Sequence, residues 1–202
     1  LAGSSSSVDV TAEAGETEGS NAAVVIGGGL LGLEAAHGLA LRGMQVTVVH
    51  LMSTLMERQL DEAAGWLLRQ ELERRGHTIL TSANTKAILG AAGRVAGIVL
   101  EDGTRIRADL VVMAAGIKPS VALAKAAGLA CERGIVVDDN MVTSDHAILA
   151  VGECVQHRGA CYGLVAPIWE MCRALADHLT GSGDGGAGYE GSVTSTKLKV
   201  SG

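Results

Sequence analysis

The segment AVVIGGGLLGLEAAHGLALR, residues 23–42, joins a short apolar run to a glycine-rich turn and a helical pattern. Residues 23–26 are apolar and stop at three consecutive glycines, which is typical of a buried parallel strand. Residues 30–42 follow with the pattern of a helix, and Gly43 is suited to end it. The order of strand, glycine turn and helix indicates the start of a β-α-β unit.

The glycines of this turn are spaced as G-x-G-x-x-G, at positions 27, 29 and 32. The pattern alone is weak, and a glycine-rich turn in a domain without a cofactor is the alternative. Here a strand precedes it, a helix follows it, and a second strand ends near His50, which is the context of a dinucleotide site. We therefore predict that this turn holds an NAD(P)H pyrophosphate, through Gly27, Gly28, Gly29, Leu30, Leu31 and Gly32.

Two more strands and a helix extend this unit. Residues 45–49 (QVTVV) are β-branched and predict a second strand. Apolar residues recur at helical spacing over 60–72, Gly76 can end that helix, and residues 77–80 predict a third strand. The resulting β-α-β-α-β order is the first half of a doubly wound sheet.

A group of short strands follows in place of one crossover helix. Residues 85–89, 95–100 and 104–107 predict an antiparallel meander, with a type I′ turn at 101–103 (EDG). Residues 109–113 return as a buried strand. The predicted fold class is therefore α/β, a Rossmann-like NAD(P)-binding domain with a parallel sheet and an antiparallel β-meander.

The second half of the chain alternates helical patterns with short apolar runs. We expect a helix from an N-cap at Ser120 to Gly128, strands at 134–137 and 148–151, a helix at 167–179, and a strand without an obvious partner at 196–200.

Composition excludes several classes of function. The 202 residues carry a net charge of −6, so the basic surface that nucleic acid requires is absent. No apolar run is long and uninterrupted enough to predict a membrane span. The four cysteines contain no C-x-x-C pair, so we expect neither a metal site nor a redox disulfide, and we expect a cytoplasmic protein with reduced thiols.

The residue at the end of the second strand bears on the choice of nucleotide. NAD-specific sites place Asp or Glu there, to bond the ribose 2′-hydroxyl. This chain has His50, which neither repels a 2′-phosphate nor grips one as an arginine does; Arg58 is the nearest arginine. His50 can contact either ribose or simply end the strand, so the choice between NADH and NADPH stays open, with a slight inclination to NADH.

Three motifs carry a family resemblance: GGGLLGLEAA at 27–36, GIKPS at 116–120 and TSDHAILAVGEC at 143–154. In this order they resemble the FAD- and NAD(P)-dependent pyridine nucleotide oxidoreductases, in which an NAD domain is inserted into an FAD domain. Longer runs, VVHLMSTLMERQLD at 48–61 and AVGECVQHRGACYGLVAP at 150–167 among them, are similar to the large subunits of NAD(P)H-dependent nitrite reductases.

The resemblance implies roles for four further residues. Glu34 would lie near the nicotinamide ribose, Gly116 would line the nicotinamide side of the crevice, and Gly152 and Glu153 would meet FAD. No catalytic side chain is implied, since hydride passes between the two cofactors and the protein orients them.

Composition, for residues 1–22, and the resemblance, for the rest, together predict a division of the chain. Residues 1–22 are expected to be a disordered leader or linker, 23–116 the NAD(P)H-binding domain, 117–181 the incomplete C-terminal part of an FAD-binding domain, and 182–202 a linker and the start of the next region. The partners would be the other half of the FAD domain and downstream redox domains with sirohaem and an iron–sulfur cluster; a homodimer is an open possibility.

The implied function is hydride transfer from NAD(P)H to FAD, with electrons passing on to a nitrite-reducing centre. Two alternatives remain open at this point. One is part of a flavin-dependent ferredoxin or rubredoxin reductase, and the other is a dinucleotide-binding module without catalysis.

Overall fold

The computed structural model describes residues 9–12, 21–181 and 188–200. The chain divides into two compact units, Leu1–Gly116 with Thr196–Gly202 and Ile117–Ser195. In chain order the first contains β1 (Asp9–Ala12), β2 (Ala22–Ile26), α1 (Leu30–Leu41), β3 (Gln45–Val49), α2 (Glu62–Arg74), β4 (Thr78–Leu80), β5 (Thr85–Ala91), β6 (Arg94–Leu100), β7 (Arg105–Arg107) and β8 (Leu110–Met113). The second contains α3 (Ala122–Ala126), β9 (Ile135–Val137), β10 (Val155–His157) and α4 (Val165–Thr180).

A four-stranded parallel sheet of order β4-β3-β2-β8 forms the centre of the first unit. Because side chains alternate along a strand, β2 supplies two cores. Ala23 and Val25 pack with Leu33 of α1 and Leu72 of α2, whereas Val24 and Ile26 pack on the opposite face. That second core also contains Ile98 and Leu100 of β6. Both faces of the sheet are therefore covered, as its nearly continuous apolar strands require. The predicted α/β fold with a parallel sheet is confirmed.

The second sheet has the order β1-β5-β6-β7, and its last three strands form the predicted antiparallel meander. The turn between β6 and β7 differs from the type I′ turn we predicted. Gly103 has φ +87° and its N–H donates to the carbonyl of Leu100, but neither Glu101 nor Asp102 has a positive φ. A three-residue loop with one left-handed glycine therefore makes this hairpin.

β1 corrects the expectation that residues 1–22 are entirely disordered. Residues 9–12 pair in parallel with β5, Asp9 beside Ala87 and Ala12 beside Gly90. A strand at the edge of a sheet is added through backbone hydrogen bonds, which do not need apolar side chains. Composition alone therefore missed it. Residues 1–8 and 13–20 lie outside the described residues.

The ends of α1 and α2 follow from glycines that the sequence placed correctly. Gly43 and Gly76 have φ +81° and +89°. After Gly43, the N–H of Met44 donates to the carbonyl of Leu39 at 3.2 Å, and after Gly76 the N–H of His77 donates to Leu72 at 3.1 Å. These are Schellman motifs, in which glycine takes the left-handed position without a steric penalty.

The second unit departs from prediction in three places. Residues 148–151 (ILAV) do not form a strand, and Leu149 makes only an isolated bridge to Val142. The strand lies at β10, which pairs in parallel with β9. Val121, not Ser120, precedes α3, and it makes no side-chain cap.

The predicted strand at 196–200 is also wrong. The segment has no regular secondary structure, but Leu198 and Val200 pack against the core of the first unit. Its alternating apolar residues therefore mark contact with a core and not strand pairing.

His77 makes the stability of the first unit dependent on pH. The side chain is buried before β4, and its Nδ1 has no hydrogen-bond partner among the described residues. Burial, then the charges of His37 and Arg75, lower its pKa from 6.5. The unfolded chain therefore binds the proton more strongly, so the contribution of neutral His77 is present above pH 6.5 and is lost as the pH falls below it.

We expect the urea midpoint of the chain to be lower at about pH 5.5 than at about pH 7.5. His77→Phe should reduce this difference, because the folded state then has no imidazole to keep neutral. Denaturation followed by circular dichroism measures it. His146→Gln, at an exposed position, is the control and should keep the wild-type slope. Identical slopes in wild type and His77→Phe would contradict this account.

Candidate dinucleotide-binding site

Gly27 makes the turn that follows β2. It has φ +122°, a region that side chains disfavour, and its N–H donates to the carbonyl of Val49 at 2.8 Å. A methyl group added at Gly27 would lie 2.3 Å from the carbonyl oxygen of Ala114. The turn is therefore fixed between the ends of β3 and β8, and only glycine fits it.

Gly32 brings α1 against the same turn. A methyl group there would lie 2.0 Å from the carbonyl oxygen of Gly27. Helix and strand thus meet at backbone distance, which is the role that the third glycine of the motif requires.

Gly29 occupies the open side of the turn. It is the N-cap of α1 with φ −84° and ψ −176°, and an added methyl group would meet nothing within 4 Å. The first intrahelical bond runs from the N–H of Leu33 to the carbonyl of Gly29. The N–H groups of Leu30, Leu31 and Gly32 therefore have no partner within the helix and can bind an anion.

The two helices of this unit begin differently. The side chain of Asp61 caps α2 by accepting a hydrogen bond from the N–H of Ala64 at 2.8 Å, whereas no side chain caps α1. A phosphate at α1 would satisfy the N–H groups for which the described residues supply no acceptor. The residues present thus fit the pyrophosphate of a dinucleotide.

Gly28, predicted to bind the cofactor, has both backbone groups occupied by the chain. Its N–H donates to Nδ1 of His50 at 2.9 Å, and its carbonyl accepts from the N–H of Met56 at 3.0 Å. A methyl group at Gly28 would lie 2.7 Å from Cγ of His50 and 2.6 Å from Cδ2 of Leu55. Gly28 therefore joins the glycine turn to the loop after β3.

His50 is buried, and each of its ring nitrogens contacts a group of the chain. Because the N–H of Gly28 can only donate, Nδ1 accepts, and the proton of the neutral ring is on Nε2. Nε2 lies 3.1 Å from Oε2 of Glu57 and donates to it. Sequence reasoning missed Glu57 because it stands seven residues after His50, whereas the usual acid is expected at the position of His50 itself.

Glu34 and Gly116 are the other two predicted residues of this unit. Oε1 of Glu34 accepts a hydrogen bond from the backbone N–H of Lys199 at 3.0 Å, so the C-terminal segment contacts this carboxylate. Gly116 is exposed, has φ +89° and follows β8.

Apolar side chains are exposed along the same edge of the parallel sheet. Leu31 in the first turn of α1, Leu51 and Met52 after β3, and Met113 at the end of β8 are between 46% and 70% exposed. The carboxyl ends of parallel strands are where open α/β sheets bind their ligands. Exposed apolar groups beside free N–H groups suit the flat rings and the phosphates of a dinucleotide.

The predicted FAD residues lie in the second unit, near the start of α4. Gly152 has φ +109°, and the exposed Glu153 has its Oε1 4.0 Å from a methyl group built on Gly163. Leu164, the N-cap of α4, makes no side-chain cap. Glu153 and the uncapped end of α4 are therefore brought together.

The second unit also contains a polar cluster in which His157 is buried, Asp139 is half-buried and Arg158 is exposed. Nε2 of His157 is 2.8 Å from Oδ1 of Asp139, and Arg158 binds both oxygens of that carboxylate, at 3.0 and 2.7 Å. Arg158 and then His157 lower the pKa of Asp139 to about 2. The cluster keeps Asp139 ionised and ties β10 to the loop after β9.

Two negative observations concern the described residues alone. No group of three or more His, Cys, Asp or Glu side chains in them is arranged to hold a metal ion. None of their helices combines the length and the apolar character that crossing a bilayer needs.

Known proteins are similar to this chain in sequence and in fold. The family model of the pyridine nucleotide-disulphide oxidoreductases matches residues 3–168. The nitrite reductase [NAD(P)H] of Bacillus subtilis (strain 168) is 55% identical over 180 residues, 89% of this chain and 22% of that protein. The rubredoxin-NAD(+) reductase of Ectopseudomonas oleovorans is 40% identical over 152 residues, 75% of this chain and 40% of that protein.

A solved structure shares the fold. The NAD-dependent persulfide reductase from A. fulgidus superposes with a TM-score of 0.80 at 33% identity, covering 89% of this chain and 34% of that one. The chain thus spans between about a fifth and two fifths of the length of these relatives. The match over residues 3–168 confirms the family that the motifs indicated: the chain belongs to the pyridine nucleotide-disulphide oxidoreductases.

Proposed function

We propose that the first unit binds NAD(P)H and that the second is the C-terminal part of an FAD-binding domain in a flavoprotein oxidoreductase. The observation that carries the proposal is the open, uncapped start of α1 at Gly29, beside the backbone contact of Gly27 with Gly32. Free N–H groups at a helix start, with room for a ligand in front of them, bind pyrophosphate.

In this proposal the residues of the chain bind and orient, and none of them reacts. NAD(P)H, when bound, supplies the hydride, and FAD accepts it. Leu30, Leu31 and Gly32 would donate their N–H groups to the pyrophosphate. In the second unit, Gly152, Glu153 and the start of α4 would contact FAD, and the free N–H groups of α4 favour negative charge near the flavin.

The whole protein's activity is proposed from its relatives. The greatest identity among those described is to a nitrite reductase that uses NAD(P)H, at 55%. We therefore propose that electrons pass from FAD to a sirohaem and iron–sulfur centre in other domains, which would be the partners of these two units.

All four cysteines are free thiols, which agrees with a cytoplasmic protein.

A second candidate function is reduction of a separate electron carrier. The 40% identity to rubredoxin-NAD(+) reductase favours it. The full-length protein distinguishes the two, since only a nitrite reductase oxidises NAD(P)H in response to nitrite without an added carrier protein.

Calorimetric titration of the chain with NADH and with NADPH tests the first step. We expect at least one nucleotide to bind with a Kd in the micromolar range, roughly −8 kcal/mol, because the site needs no group outside the first unit. AMP, which lacks a pyrophosphate, is the control and should bind far more weakly. Absence of binding by both nucleotides would refute the proposed function, the non-catalytic module included.

A further inference from the structure

The end of β3 carries its negative charge in an unusual way. An acid at this position reads the adenosine ribose in NAD-specific sites. Here the position is occupied by His50, whose Nδ1 accepts from the glycine turn and whose Nε2 donates to Glu57. The carboxylate of Glu57 is therefore linked to the glycine turn through the imidazole ring.

We propose that Glu57, held by His50, is the residue that selects NADH over NADPH. The inference rests on the proposed NAD(P)H site of the first unit and names the nucleotide that this site takes. His50 alone left the choice between NADH and NADPH open, and Glu57 decides it in this proposal.

The two residues that precede Glu57 hold it in place. Leu55 and Met56 are buried, and the N–H of Met56 donates to the carbonyl of Gly28. Met56 has φ +52°, a left-handed conformation that is costly for a side chain and that persists where the surroundings fix it. This bend brings the next residue, Glu57, back to His50, so the carboxylate is fixed relative to the glycine turn.

Glu57 remains accessible to a ligand. Its side chain is 32% exposed, against 9% for His50. Only Oε2 contacts His50, and Oε1 has no hydrogen-bond partner within the described part of the chain. This second oxygen can accept a hydrogen bond from a ribose hydroxyl.

The same carboxylate disfavours a 2′-phosphate. The phosphate brings a charge near −2 beside a fixed negative charge, and neutral His50 supplies no compensating cation. Arg58 is the nearest cation in sequence, and its side chain is exposed. A 2′-phosphate that reached Arg58 would reverse the expected preference, so both residues belong in the test.

The experiment measures the binding of ADP-ribose and of its 2′-phosphate to the full chain by calorimetry. Wild type should bind ADP-ribose at least about tenfold more tightly, and Glu57→Gln should bring the ratio to within about threefold by improving affinity for the phosphorylated ligand. Raising the salt to about 1 M should narrow the wild-type ratio, because screening weakens repulsion.

Glu62→Gln is the matched control. Glu62 is an exposed acid five residues from Glu57, and the substitution removes the same charge. The ratio of the affinities for ADP-ribose and its 2′-phosphate should therefore equal that of wild type. An unchanged ratio in Glu57→Gln, or a wild-type preference for the phosphorylated ligand that disappears in Arg58→Gln, overturns the inference. If neither ligand binds to wild type, the proposed function itself fails, and the inference with it.

Discussion

Gly32→Ala should unfold the first unit or leave it only marginally stable. The added methyl group would lie 2.0 Å from the carbonyl oxygen of Gly27 and 3.0 Å from its carbonyl carbon. Gly27 cannot retreat, because its N–H is bonded to Val49 and its α-carbon lies against Ala114. The clash must therefore move α1 away from β2.

Moving α1 disturbs the core that this helix completes. Leu33 and Ala36 are buried against Ala23 and Val25, and a shift of the helix opens these contacts. We expect a loss of about 3 kcal/mol or more in the free energy of unfolding, which is a large part of the stability of a typical domain. Urea denaturation followed by circular dichroism measures the change.

Gly38→Ala is the matched control for this prediction. Gly38 lies in the same helix, is exposed, and has nothing within 4 Å of an added methyl group. Alanine there should stabilise the helix by about 0.5–1 kcal/mol. Equal midpoints for the two variants would show that Gly32 is not held against the turn as the structure places it.

The features that were predictable from sequence are those set by neighbouring residues. Gly43 and Gly76 end helices because a left-handed residue is needed one position beyond the cap, and glycine takes that conformation freely. The meander was predictable for a similar reason, since Gly103 makes a tight hairpin between two short strands.

The features that escaped prediction depend on distant partners. β10 contains Gln156 and His157, both buried, and looks unlike a strand. Gln156 is satisfied by Glu132 and by the N–H groups of Arg133 and Gly134, more than twenty residues away. No local pattern predicts such contacts, whereas the apolar run at 148–151 predicted a strand and makes only an isolated bridge.

The candidate site shows the same division. The structural positions of Gly27, Gly29 and Gly32 at the junction of β2 and α1 were predictable from their spacing, because the motif is local. The bonds of His50 to Gly28 and Glu57 do not, because they need the left-handed bend at Met56 to bring the loop back. The spacing of apolar residues, which indicates helices and strands, does not predict that bend.

Gly29→Val should abolish NAD(P)H binding and leave the chain folded. The backbone at Gly29, φ −84° and ψ −176°, is open to any residue, and nothing lies within 4 Å of the added carbon. The side chain therefore enters the space in front of the free N–H groups of α1, which is the proposed position of the pyrophosphate.

We expect a loss of at least about a hundredfold in affinity, ~2.7 kcal/mol, in a calorimetric titration, with an intermediate loss for Gly29→Ala. Gly38→Val makes the same substitution nine residues along α1, at an exposed glycine where nothing lies within 4 Å of the added carbon, and should bind as wild type does. Circular dichroism should show all three variants folded, so that a lost signal reports a blocked site. Wild-type affinity in a folded Gly29→Val would mean that the nucleotide does not approach α1 across Gly29, and the proposed binding mode would have to be abandoned.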